Sequence, residues 1–341
     1  MIGIIGAICG DIIGSTYDYK TTKNYNFKLL TNLSGITDDT IMTLANAKWL
    51  LSENLSKDNL INIMHDLGNR YFFSHAGGFK HWLETKSREP YNSYGNGSAM
   101  RVSPIGWYAE SIEQCLELAK ISAEVTHNHP EGIKGAQAVA LAIYFNRIGM
   151  NREFIKSEIE TRFEYDLSRK YEDIKKTYSF QVSCQKSVPE AIICWLESTS
   201  YEDCIRKAVS LGGDANTQAC IAGAICNADL LNSKMQIKAE DAFNIIKHAK
   251  RISNELIDII NEFNKKIEVR ADYPVLVKCK KCGTMEEIYV NSSDWKRFTL
   301  GKLYINNCFD YLTEDQKEIL KHNLCNNCLR LQKLPNINEI I

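Results

Sequence analysis

Proline is scarce, with six in 341 residues, and no strand-like alternation of apolar and polar residues appears before about residue 268. Both absences argue against a β sandwich or barrel there, since such folds need frequent turns and period-two patterning. Net charge is nearly absent as well: 41 basic and 42 acidic residues leave −1. No whole-chain field therefore draws in nucleic acid or an anionic membrane, and any such partner has to be held locally. No apolar run reaches the roughly 20 residues that a spanning helix needs. The apolar opening MIGIIGAICG has no basic segment before it and is interrupted by Asp11, so it reads as neither signal nor membrane anchor. No internal repeat is visible. Cysteine, by contrast, is plentiful at twelve, and eight of these (Cys9, Cys115, Cys184, Cys194, Cys204, Cys220, Cys226, Cys308) fall singly in apolar or helical stretches. That distribution suits a reducing compartment better than a disulfide scaffold, and a cytoplasmic protein without membrane association is expected.

What is present is helical patterning. A composition 44% hydrophobic and 24% charged supports a sizeable core. Helical spacing is predicted over 38–52, 111–125, 135–148 and 188–198, and over 239–267 as one long helix. Beyond it, EVRADYPVLVKC carries Pro274 and a short β-branched run that signals a change of structure. The expected organisation is an all-α domain over 1–269 followed by a small α+β module over 270–341.

Four loop-like clusters combine glycine with acids, amides or hydroxyls just before a helix. In ITDDT (36–40), Thr37, Asp38 and Asp39 offer oxygens to a hard divalent cation such as Mg²⁺ or Mn²⁺, or else form a helix cap with favourable acids in the first turn. In LGGDANTQAC (211–220), Asp214, Asn216 and Thr217 repeat that choice, and two oxygen-rich helix mouths in one domain make a shared binuclear site plausible. In YNSYGNGSAMR (91–101), Gly95 and Gly97 let the backbone approach a ligand, with Ser93, Tyr94 and Asn96 as hydrogen-bonding groups; an ordinary turn is the alternative. In THNHPEGIKGAQA (126–138), His127 and His129 form an HxH pair, read as ligand-contacting or loop-stabilising because no third histidine or cysteine lies nearby.

Taken in order, GAICGDIIGSTYDY, TDDTIMTLA, GNGSAMRVSPIGW, THNHPEGIKGAQA and GGDANTQACIAGAI resemble the ADP-ribosylglycohydrolases, over roughly residues 1–265. The resemblance implies an all-α fold holding two Mg²⁺ or Mn²⁺ ions at the base of an ADP-ribose cleft, and hydrolysis of the bond between ADP-ribose and an acceptor: a protein side chain, a nucleic acid or a small molecule. Carried over, it makes Thr37, Asp38, Asp39, Asp214, Asn216 and Thr217 metal positions. It makes Ser93, Tyr94, Gly95, Asn96, Gly97 and His127 contacts to phosphates and ribose, with Asp38 or Asp39 to orient or deprotonate water. Asp18 takes the place of an acid on the loop that gates the site. The family usually has glutamate where this chain has Asp18 and aspartate where it has Asn216, so the alternative expectation is a catalytically impaired ADP-ribose-binding or partner-blocking protein.

The C-terminal region carries Cys279-Lys-Lys-Cys282 and Cys325-Asn-Asn-Cys328. Each pair can present two thiolates to one face of a tetrahedral ion, so one structural Zn²⁺ is expected. The pairs are separated by a segment in which TEDQKEILKH starts with a capping box. Lys278, Lys280 and Lys281 beside the first pair permit a nucleic-acid partner, and the module is similar to zinc-ribbon-like domains that recruit protein or nucleic acid.

Overall fold

The computed structural model describes residues 3–333 except 19, 53, 72–76, 231, 269–272, 292–293, 296–297, 299–304, 306–308 and 310–311. Packing divides the chain into Met1–Ile267 and Glu268–Ile341. The boundary expected at residue 270 and the singly placed Cys308 lie outside the described residues.

The first unit is all-α, as its patterning predicts. Two helices form its centre: α1 (Ile5–Gly14) and α13 (Ala215–Asn227), in both of which every residue is buried. A helix buried on every side needs neighbours all round it. Around the pair lie α2 (Asp38–Leu51), α3 (Lys57–Arg70), α4 (Gly77–Glu84), α5 (Gly97–Met100), α6 (Ser103–Tyr108), α7 (Ile112–Glu124) and α8 (Pro130–Arg147). The shell continues with α9 (Arg152–Phe163), α10 (Tyr171–Thr177), α11 (Cys184–Leu196), α12 (Tyr201–Ser210), α14 (Ala239–His248) and α15 (Asn254–Glu268). Helix α13 packs on α1, α11, α12 and α8, and α2 packs on α3 and α6.

Backbone closeness between α1 and α13 comes from a glycine stripe. A β-carbon at Gly6, Gly10 or Gly14 would overlap the carbonyl oxygen of Gly223, Ala219 or Ala215 respectively. These glycines recur every fourth residue, so they fall on one helix face. The Tyr201 hydroxyl locks the seam by donating to the Gly6 carbonyl at 2.7 Å.

Two helices start earlier than their patterning suggests. Helix α8 begins at Pro130 because His129 accepts from the Glu131 N–H and caps it, and Pro at the first position gives up no needed donor. Helix α11 begins at Cys184 and runs through Pro189. The single long helix expected over 239–267 is corrected to two, α14 and α15. Between them the chain leaves helical hydrogen bonding to pair with another loop: Lys250 N–H donates to Ser34 O at 3.1 Å and Ile36 N–H to Lys250 O at 3.2 Å. Arg251 then adopts φ 71°, a left-handed conformation that no α-helix accommodates.

In the second unit, β1 (Tyr273–Lys278) and β2 (Met285–Val290) form an antiparallel hairpin, followed by α16 (Glu314–His322) and α17 (Asn326–Lys333). Thr313 and Gln316 make the capping box of α16. Val275, Val277, Ile288, Val290, Phe309 and Ile319 are buried in its own small core.

Replacing Gly10 by Val is expected to lower folding stability by about 3 kcal/mol, because the new methyls meet backbone that cannot yield. Gly77→Ala, where a β-carbon meets nothing within 4 Å, is the control. Urea denaturation midpoints that fall equally for both variants would show that close approach at the glycine seam does not limit stability.

Candidate functional site

The N-terminus of α2 is held by a buried acid that the sequence motifs leave out. Asp11, at 0% exposure on α1, accepts from the Thr37 N–H at 2.9 Å and the Thr37 hydroxyl at 2.7 Å, and from the N–H and hydroxyl of Thr40. Burial pushes its carboxyl up to about 6 despite those donors. Thr37 in turn caps α2 by accepting from the Asp39 N–H at 3.2 Å. The cap reading of this motif is thus realised, and it coexists with a cluster of oxygens.

Asp39 turns inward from that helix mouth. Its Oδ2 accepts from Asn216 Nδ2 at 3.0 Å, from the Thr37 hydroxyl at 3.1 Å and from the Thr217 hydroxyl at 3.3 Å. Its Oδ1, and Oδ1 of Asn216, are buried with no hydrogen-bond partner. Burial first, then the neighbouring Asp11, Asp38 and Asp214, hold the Asp39 carboxyl well above its ordinary value. Asp214, the last residue before α13, accepts from Asn96 Nδ2 at 2.8 Å and is pushed up to about 7, again chiefly by burial. Every one of these donors to Asp11, Asp39 and Asp214 is a neutral hydroxyl, amide or backbone N–H. Buried carboxylates with orphaned oxygens and only neutral donors are suited to a divalent cation, which would supply the missing positive charge.

A cleft of about 400 Å³ opens over this cluster and is lined by Asp18, Asp38, Asp39, Asp214, Asn216 and Thr217 on one wall. Ser93, Gly95, Asn96, Gly97 and His127 line another, so residues far apart in sequence meet here. The Ser93 hydroxyl accepts from the Gly95 N–H at 3.1 Å, and Asn96 N–H donates to Val182 O at 2.7 Å. His127 is 5% exposed, and burial together with Arg101 keeps it well below its usual value, so its ring is neutral at pH 7. Its Nδ1 pairs with the Thr126 hydroxyl at 2.7 Å, and its Nε2 lies beside Gly97, where a β-carbon would come within 3.2 Å. Asp18 follows a 3₁₀ turn (Ser15–Tyr17), and burial followed by Asp38 raises its carboxyl. Beyond it, Lys23 Nζ donates to Lys175 O at 2.7 Å, Tyr178 O at 2.6 Å and Leu211 O at 2.5 Å, which ties this segment to the turn before Asp214.

Some expected residues fall elsewhere. The Tyr94 ring is 51% exposed and packs edge-on against His129 rather than lining this cleft, because the 95–183 bridge turns its backbone toward Cys184. His129 is the cap of α8, so the HxH pair divides between two tasks. Arg101, Phe180 and Val182 also line the cleft, although the chemistry of the motifs does not mark them. Arg101 is 1% exposed and spends its guanidinium on Ser122 O and the Thr126 hydroxyl. Phe180 and Val182 are half exposed at 51% and 52%, an apolar edge that only the folded loop brings to the site.

In the second unit, one sulfur from each of Cys279, Cys282, Cys325 and Cys328 lies within 4.8 Å of the others. Gly283, at φ 78°, turns the first knuckle and donates to Cys279 O at 2.9 Å. The backbone N–H of Cys325, followed by those of the first knuckle, draws the Cys279 thiol down to about 6, which favours the thiolate a metal ion needs.

The family model described as ADP-ribosylglycohydrolase matches residues 2–230. A protein from Archaeoglobus fulgidus is 35% identical over 147 residues, covering 39% of this chain and 48% of its own length, so the chain spans about half of that relative. The ADP-ribosylhydrolase ARH3 of Mus musculus is 24% identical over 305 residues, covering 66% of this chain and 82% of the relative, and that of Homo sapiens is 24% identical over 304, covering 66% and 83%. A solved structure titled ADP-ribosylglycohydrolase-related protein complex shares the fold at TM-score 0.60 and 17% identity, covering 77% of this chain and 95% of that one. No helix among the described residues is long and apolar enough to cross a membrane.

The raised carboxyls give a pH dependence. An acid whose folded value lies above its unfolded one binds more protons folded between those two values, so stability falls as pH rises from the unfolded value to the folded one and is level above it. With chelator present, Asp214 stays protonated in the fold but ionises unfolded from about pH 4 upward, so the urea midpoint is expected to drop as pH rises toward 7 and to level off above it, and Asp214→Asn should flatten that slope. Parallel slopes in the two proteins would show that Asp214 does not carry the effect.

Proposed function

Because the chain belongs to the ADP-ribosylglycohydrolase family, we propose that it hydrolyses the glycosidic bond between ADP-ribose and an acceptor, with two divalent cations at the Asp39 cluster. The observation that carries the metal reading is the pair of buried, partnerless oxygens, Asp39 Oδ1 and Asn216 Oδ1, beside the carboxyls of Asp11, Asp39 and Asp214, whose hydrogen-bond donors are neutral. Thr37, Asp38, Asp39, Asp214, Asn216 and Thr217 would hold Mg²⁺ or Mn²⁺. Such ions would supply positive charge to ribose hydroxyls and to the attacking water.

The chain's own residues supply orientation and proton handling. Gly95 and Gly97 let the diphosphate approach the backbone, with Ser93, Asn96 and neutral His127 as its polar neighbours. The exposed Phe180 ring offers a face for the adenine. Asp39, with Oδ2 already taking three donors, is better suited to ligation than to proton transfer. Asp38 lines the cleft and is the carboxylate we assign to orient the attacking water. The water oxygen bonds to the anomeric carbon, the bond from that carbon to the acceptor breaks, and the proton lost by water passes through Asp38 to the departing group. Asp18 gates the wall beside Asp38.

A second reading rests on Asn216. Its amide donates to Asp39, where a carboxylate would add a negative charge, so cation affinity is weakened and ADP-ribose binding without turnover becomes the alternative. In the second unit, the four clustered sulfurs suit one structural Zn²⁺, and a module this small needs such a cross-link.

Two outcomes are expected. Release of free ADP-ribose from arginine-, serine- and nucleic-acid-linked substrates should require Mg²⁺ or Mn²⁺ and fall by at least about 100-fold in Asp38→Ala. Binding of ADP-ribose without release, with release gained in Asn216→Asp, would install the second reading. Separately, Cys328→Ser should lower bound zinc from one equivalent per chain by elemental analysis; zinc retained in full would refute the four-sulfur site.

A further inference from the structure

A second cleft, of about 740 Å³, shares Asp18, Asp38 and Asn216 with the first, so these residues form a wall common to both. The two clefts differ in charge. The first is lined by four acids and a single cation, Arg101, whose guanidinium is buried and engaged with Ser122 O and Thr126. Lys20, Lys250 and Arg251 line the second, and its two acids, Asp18 and Asp38, both belong to the shared wall. All three cations are exposed. Lys250 is fixed in place by its backbone pairing with Ser34 and Ile36, in the break between α14 and α15, and Arg251 follows it at φ 71°.

We propose that this second cleft receives the acceptor, and that the acceptor group is a phosphate joined through oxygen to the anomeric carbon of ADP-ribose. The inference rests on the hydrolase reading above and adds the substrate class. In the first cleft the ribose reaches the shared wall from the glycine loop, so the group leaving the anomeric carbon departs through the other opening. The water oxygen bonds to that carbon while the carbon–oxygen bond to phosphate breaks, its electron pair going to the phosphate. The proton lost by water passes through Asp38 to the released phosphate or to solvent. A phosphate departs as a stable anion without a proton donor, and three cations beside its path stabilise the charge as it develops. Neutral acceptors such as a serine hydroxyl gain nothing from those cations. Asn216, uncharged where an aspartate would add to the repulsion, also favours an anion at this wall.

The test compares ADP-ribose linked to the terminal phosphate of a short oligonucleotide, to inorganic phosphate, to a serine peptide and to arginine, each with Mg²⁺ or Mn²⁺. Wild type is set against Lys20→Gln/Lys250→Gln, two exposed positions whose change spares the core. Phosphate-linked substrates should be cleaved with the higher kcat/KM, and the double variant should lower that value about tenfold, mainly through KM and with lost salt dependence, while calorimetric affinity for free ADP-ribose is kept. Preference for the oligonucleotide over inorganic phosphate would identify a nucleic-acid end as the source, and equal rates a small phosphate ester. Cleavage of serine or arginine linkages alone, or an equal loss on every linkage, would overturn the inference and leave the hydrolase reading standing. Cleavage of no linkage by a protein that binds ADP-ribose would overturn both.

Discussion

The site depends on the close approach of α1 and α13. Three glycines on α1 set the two backbones in contact, and the contact fixes where each helix ends. Helix α1 presents Asp11 near its end and leads through a short turn to Asp18, while α13 begins with Ala215, Asn216 and Thr217 just after Asp214. A separation larger by one methyl group would move these two sets of oxygens apart. Close packing of this kind has no slack, because interiors are filled to crystal-like density.

From that seam the electrostatics follow. Asp11 is buried where no cation reaches it through a hydrogen bond, yet it takes donors from Thr37 and Thr40 and so sets the loop that starts α2. Asp39 is then carried against Asn216 and Thr217 across the gap between helices. Several acids in one dry place raise one another's proton affinity, and the fold tolerates this arrangement because larger forces, the buried apolar faces around it, hold it closed.

Much of this was legible in the sequence, and the gaps have physical causes. The helical class and the motif order follow from apolar spacing and from short glycine-containing segments whose chemistry is local. Asp11 was readable only as an interruption of an apolar run, since its partners Thr37 and Thr40 lie 26 and 29 residues away. Phe180 and Val182 join the cleft by tertiary placement alone, Arg101 closes the motif that also supplies Asn96, and Tyr94, inside that motif, is turned outward by a backbone bridge that no local pattern encodes. The break at 249–253 was hidden for the same reason: AKRIS has no proline or glycine to stop a helix, and it is pairing with Ser34 and Ile36 that competes successfully. The cysteine pairs were the opposite case, because a metal knuckle is written in a few adjacent residues and the hairpin turn at Gly283 follows from them.

The glycine seam also bears on how the protein is made. Helix α1 leaves the ribosome about two hundred residues before α13. At cellular synthesis rates that interval is roughly 10 to 40 s. Through all of it a helix that ends buried at every residue lacks the partner it packs on most closely, and its glycines weaken its own propensity to stay helical. The domain therefore closes late and around its own beginning, so truncation anywhere before Asn227 leaves the N-terminal segment unhoused, however many of the intervening helices have already formed.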